Sequence, residues 1–165
     1  MFRAKIYTLI IILLGAISAQ AETIKVKLKT TMGNIPVDLY ADKAPITVAN
    51  FLRYIDGGLF EFIKLEHTNL TGIKHQDGTI SMARGGPDTA SSIFFICLNY
   101  QPSLDFEGMR NADGQGFTAF GKVTMGMAAV CAIQNVKTDT PEGTLKYTSG
   151  QHVLDPVIIN SFSRE

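Results

Sequence analysis

Gly78-Thr79-Ile80-Ser81-Met82-Ala83-Arg84, then Gly85-Gly86-Pro87, then Ser91-Ser92-Ile93-Phe94-Phe95-Ile96, has the pattern of two strands joined by a turn. An apolar run with β-preferring residues stops at a Gly-Gly-Pro turn, and a second apolar run carries two adjacent phenylalanines. Neighbouring strand residues point to opposite faces. One Phe therefore packs into a core, while the other faces away, where it can line a pocket.

Working outward, residues 23–29 alternate, with Ile24, Val26 and Leu28 on one face and Lys25, Lys27 and Lys29 on the other. That is a half-buried strand. Thr31-Met32-Gly33-Asn34 reads as a turn, and Ile35, Val37 and Leu39 resume the alternation, which predicts a hairpin. Ala44-Pro45 opens a helix whose Val48, Phe51, Leu52 and Ile55 form one apolar stripe, and Gly57-Gly58 ends it. A short apolar segment at 60–65 leads to a polar loop at 66–78. Strands follow at 79–83, 93–98 and 118–123, then a helix at 127–134, a polar loop at 138–150 and a closing strand at 153–161. Short strands in this number, with two helices, predict a mainly β fold, a barrel capped by helices.

The 165 residues carry 15 basic and 15 acidic side chains, so no broad field draws nucleic acid or anionic lipid. Residues 1–21 read as a signal peptide: Arg3 and Lys5 form a basic start, residues 6–17 are almost wholly apolar, and Ala19-Gln20-Ala21 is a small-x-small cleavage site. The apolar run falls short of the ~20 residues of a spanning helix, so no stable membrane anchor is expected. Cleavage would leave one domain, 22–165, exported to the periplasm or secreted. Cys97 and Cys131 read as small hydrophobes in apolar stretches, not as a disulfide framework. No cluster suggests a metal, and His67, His75 and His152 read as solvated loop or strand-edge residues because no Gly-x-Ser-x-Gly elbow accompanies them. Asn111 to Gly116 lacks the first acidic residue and the closing glutamate of a calcium loop and reads as turn chemistry.

Four segments together resemble the cyclophilin family of peptidyl-prolyl isomerases. These are the 26–39 hairpin, Ala44-Pro45 through Asn50-Phe51-Leu52, the 81–97 stretch, and Phe120-Gly121-Lys122-Val123 with Gly126-Met127. The resemblance covers nearly all of residues 23–161. It implies a closed β-barrel capped by two helices, isomerisation of Xaa-Pro bonds without cofactor or metal, and proline-containing peptides or unfolded proteins as partners of a monomer. It also implies a substrate groove. Ala83, Arg84 and Gly85 match the stretch that holds the extended peptide, Phe95 the floor under the proline ring, and Leu104 another wall. Phe117 stands where a histidine is frequent, Ile93 where the family has a glutamine, and Ser103 where some members have a tryptophan.

The largest departure lies after Gly58. The family has two further strands here, the first with a "FHR" motif that carries its catalytic arginine. In this chain Gly57-Gly58-Leu59-Phe60 runs directly into Glu61-Phe62-Ile63-Lys64-Leu65, and no arginine lies between Arg53 and Arg84. Three readings follow: an isomerase with reduced turnover, a non-catalytic proline-peptide binder or chaperone on the same fold, or an internally deleted form of an active relative. A barrel short of two strands would expose edges that invite association.

Overall fold

The computed structural model describes residues 23–57, 61–140 and 149–165, so the leader read at 1–21 lies outside the described residues. The alternating start becomes strand β1 (Thr23–Thr30), paired antiparallel with β2 (Gly33–Tyr40). Their register sets Val26 opposite Val37 and Leu28 opposite Ile35. These four side chains are buried while Lys25 and Lys29 are exposed, as a sheet with one wet face requires.

Helix α1 (Pro45–Ile55) lays Val48, Phe51 and Leu52 on the sheet, packing against β2 and β5 (Thr118–Val123). Each such side chain contributes roughly 1.5–3 kcal/mol by leaving water. Its N-cap residue, Ala44, has no side chain able to cap. Glu66 serves instead from a distant loop, accepting from Ile46 N (3.2 Å), Thr47 N (2.8 Å) and Thr47 Oγ1 (2.7 Å). A carboxylate there also meets the positive end of the helix dipole.

A short helix α2 (Thr68–Thr71) precedes β3 (Thr79–Met82), which pairs with β4 (Phe94–Ile96) on one side and β5 on the other. Helix α3 (Met127–Gln134) packs on β2. Strands β6 (Thr138–Asp139) and β7 (His152–Val153) form a separate ribbon, and β8 (Ile159–Arg164) returns to β1. The main sheet has the order β4-β3-β5-β2-β1-β8. Gly121 sits where β5 meets β2 and β3: a Cβ there would lie 2.4 Å from the Asp38 carbonyl, so the strands approach too closely for any side chain.

The sheet curls into a half-barrel and, among the described residues, does not close. Its outer strands, β4 and β8, meet through rings instead of ladder hydrogen bonds: Phe94 and Phe162 lie 6.1 Å apart and each stands edge-on to Phe51. Beside them opens an apolar cleft of about 470 Å³ lined by Leu28, Ile35, Ile96, Val130 and Ile159.

Several expectations are corrected. The last main strand begins at Ile159, not residue 153, because Pro156 cannot donate to a ladder. The polar stretch 138–150 contains β6, which pairs with β7. Cys131 is exposed, since α3 buries only the neighbouring Val130, while Cys97 is buried; both thiols are free. His75 lies in a loop, as read, but it is wholly buried, so the solvated reading of that residue fails.

Candidate active site

The end of β3, strand β4 and the loop between β4 and β5 enclose one pocket. Ala83 and Arg84 follow β3, and Ala83 N donates to the Ile93 carbonyl at 2.7 Å, so the chain leaves the strand already held. Strand β4 supplies Phe95. A turn of 3-10 helix, Pro102–Leu104, supplies Leu104, and Phe117 arrives just before β5. These five residues, with Arg110 and Asn111, line a cavity of about 420 Å³. Phe95 and Phe117 stand edge to face with centroids 5.6 Å apart, giving the cavity an aromatic corner.

Strand alternation decides which Phe does what. Phe94 turns to Phe51 and Phe162 in the core, and Phe95 turns to the pocket. Behind Phe95 the His75 ring lies nearly parallel, 6.2 Å away. His75 Nδ1 is 2.8 Å from Asp105 Oδ1, its main-chain N donates to the same oxygen at 3.1 Å, and Nε2 is 2.9 Å from Ser81 Oγ. The Thr118 carbonyl lies 2.8 Å from the same Ser81 Oγ, whose single proton is shared between that carbonyl and Nε2. The carboxylate can only accept, so Nδ1 carries the proton. Burial pushes the His75 pKa down, partly offset by its bond to Asp105. The network ties β3, β5 and the Leu104 turn together directly under the pocket floor.

Arg84 is a brace. Its Nε donates to the Gly116 carbonyl at 2.7 Å, and its two terminal nitrogens hold Asp113 at 2.8 and 2.9 Å. The guanidinium carbon lies 5.4 Å from the Phe117 ring centroid. Only 1% of the side chain is exposed. The bond to Arg84, with help from Gln115 N, lowers the Asp113 pKa to about 2.

Of the residues read from sequence, Ala83, Arg84, Phe95, Leu104 and Phe117 come together. Gly85 and Ile93 do not join them: Gly85 N is engaged by Thr89 Oγ1, and Ile93 is exposed and borders the cleft between the outer strands. Sequence reasoning missed Arg110, Asn111 and His75. Arg110 and Asn111 sit at the edge of a stretch whose Asp-Gly signal marks only a turn. The partners of His75 are remote in sequence. Cys97 beneath the site is not a nucleophile, since burial pushes its thiol up to about 11. Among the described residues no three His, Cys, Asp or Glu side chains gather as a metal site would require.

The family model for cyclophilin type peptidyl-prolyl cis-trans isomerases matches residues 25–65 and 60–162. The chain belongs to that family. A peptidyl-prolyl cis-trans isomerase of Acinetobacter baylyi is 35% identical over 162 residues, covering 78% of this chain and 83% of that protein. Peptidyl-prolyl cis-trans isomerase A of Dickeya dadantii is 33% identical over 142 residues, covering 69% and 73%. In fold, the chain is similar to a cyclophilin type isomerase of Cryptosporidium parvum, with a TM-score of 0.63 at 20% identity over 87% of this chain and 98% of that one. Another structure of that protein was determined in the presence of the dipeptide Ala-Pro.

Proposed function

We propose that this chain is an exported prolyl isomerase of low turnover that seats proline-containing segments of unfolded proteins in the pocket of Phe95, Leu104 and Phe117. The aromatic corner carries the reading, because Phe95, Phe117 and Leu104 offer apolar faces against which a pyrrolidine ring can pack. Rotation about the prolyl amide faces ~18–20 kcal/mol, and the two isomers are close in energy, so a catalyst need only favour the twisted state. A donor to the prolyl nitrogen does this, and a dry pocket fixes the ring.

Low turnover is expected because the stretch between Arg53 and Arg84, where the family keeps its catalytic arginine, holds none. Arg84 is committed to Asp113 and the Gly116 carbonyl and cannot reach over a substrate without breaking the pocket wall. The family match falls into two stretches that overlap at 60–65, which supports the reading that the strands with the family's arginine are skipped there. Binding can survive such a loss while transition-state stabilisation falls. The same feature favours a second reading, a binder without turnover. Export rests on the basic start, apolar run and Ala19-Gln20-Ala21 site, with Glu22 as the first mature residue.

A protease-coupled assay on an Ala-Pro peptide tests the proposal. Residual turnover that Phe95→Ala abolishes supports it, and turnover unaffected by Phe95→Ala refutes the assigned pocket. Mass spectrometry of the exported protein tests the leader; residues 1–21 retained would contradict the cleavage site.

A further inference from the structure

Three arginines of the described residues are committed to carboxylates: Arg53 to Glu61, Arg84 to Asp113 and Arg164 to Asp56. Arg110 is not. Its main-chain N donates to the Ser103 carbonyl at 3.0 Å, which pins its backbone beside the Leu104 turn, but among the described residues its guanidinium holds nothing. That free cation lines the pocket of Phe95 and Phe117. Next to it, also in the lining, Asn111 Nδ2 is buried without a hydrogen-bond partner. A buried donor left unmade is costly, so it needs an acceptor from somewhere.

The local charge points the same way. Asp113 is neutralised by Arg84, and among the described residues no carboxylate forms an ion pair with Arg110. The rim therefore presents one uncompensated positive charge and one spare amide donor beside an apolar seat. We infer that Arg110, with Asn111 beside it, is a specificity-determining rim that recognises a carboxylate close to the substrate's proline. The inference rests on the reading that this pocket holds the proline ring. The carboxylate has two possible sources, an Asp or Glu side chain or a free chain end following the proline.

The test is a titration of the labelled protein, followed by NMR, with amidated peptides that carry Glu or Gln beside the proline, and with Ala-Pro in free-acid and amide forms. The expected result is roughly fivefold tighter binding of the Glu peptide than its Gln twin, the scale of an exposed charge pair. That preference falls in high salt and disappears in Arg110→Gln, while Arg110→Lys keeps part of it. Preference for the free acid alone assigns the site to chain ends, and preference for the Glu peptide assigns it to acidic side chains. Equal binding of all four peptides overturns the inference and leaves the pocket reading standing. No binding by any peptide overturns both.

Discussion

Replacing His75 by Ala tests whether the buried network, and not the apolar wall alone, holds the pocket. His75 contributes two polar contacts, to Asp105 at 2.8 Å and Ser81 at 2.9 Å, and its ring backs Phe95. Asp105 is only 5% exposed and would keep just the His75 main-chain N–H and a long contact to Lys74 Nζ at 3.8 Å. A hydrogen bond to a charged group is worth about 1.5–3 kcal/mol, and the cavity left by the ring adds to this. The expected loss is about 2–4 kcal/mol, read as a lower urea midpoint with an unchanged slope. His152→Ala, at an exposed position, should stay within about 0.5 kcal/mol. The folded fraction of His75→Ala should also bind proline peptides more weakly, because Phe95 loses its backing. A loss under about 1 kcal/mol, or equal losses at His75 and His152, would show that the network does not hold the pocket.

Burial keeps the folded-state pKa of His75 below its unfolded value of about 6.5, so this group contributes stability that is complete above that pH. As pH falls through about 6.5 the unfolded chain takes up the proton first, and the urea midpoint should drop, less steeply in His75→Asn. Asp113 works at the other end of the scale: its contribution is present above the ordinary carboxylate range and is lost as pH falls towards about 2, so Arg84 should stay braced in mild acid, a point NMR titration of the Asp113 carboxyl can check. Gly121→Ala should destabilise severely, with little folded protein recovered, because its Cβ would meet the Asp38 carbonyl at 2.4 Å; a normal urea midpoint would contradict the close strand approach. The apolar cleft between β4 and β8 should bind a hydrophobic dye in the native state, and native fluorescence no higher than that of a closed-barrel relative would count against an open half-barrel.

The elements readable in the sequence are those whose signals are local. Val26, Leu28, Ile35 and Val37 announce a hairpin by alternation alone, and Val48, Phe51 and Leu52 announce α1 by spacing. The Phe94–Phe95 pair was readable for the same reason, since a two-residue period forces the pair apart. What stayed hidden depends on contacts far along the chain. Glu66 caps α1 from about 20 residues away, and the buried His75 finds its carboxylate partner, Asp105, 30 residues on. Ile93 looked like a pocket residue, yet where β4 begins it faces the outer cleft instead. Arg110 and Asn111 carry no pattern at all; only the folding of their loop over Leu104 brings them to the pocket.

Exchange NMR on an amidated Ala-Pro peptide measures at once the proline binding and the poor turnover proposed for the pocket. The predicted result is chemical-shift change centred on Phe95, Leu104 and Phe117, with cis–trans exchange about a hundred- to a thousandfold slower than that catalysed by the Acinetobacter baylyi relative, the scale of losing one preorganised donor. Exchange as fast as that relative's, or binding shifts centred anywhere other than those three residues, would contradict it.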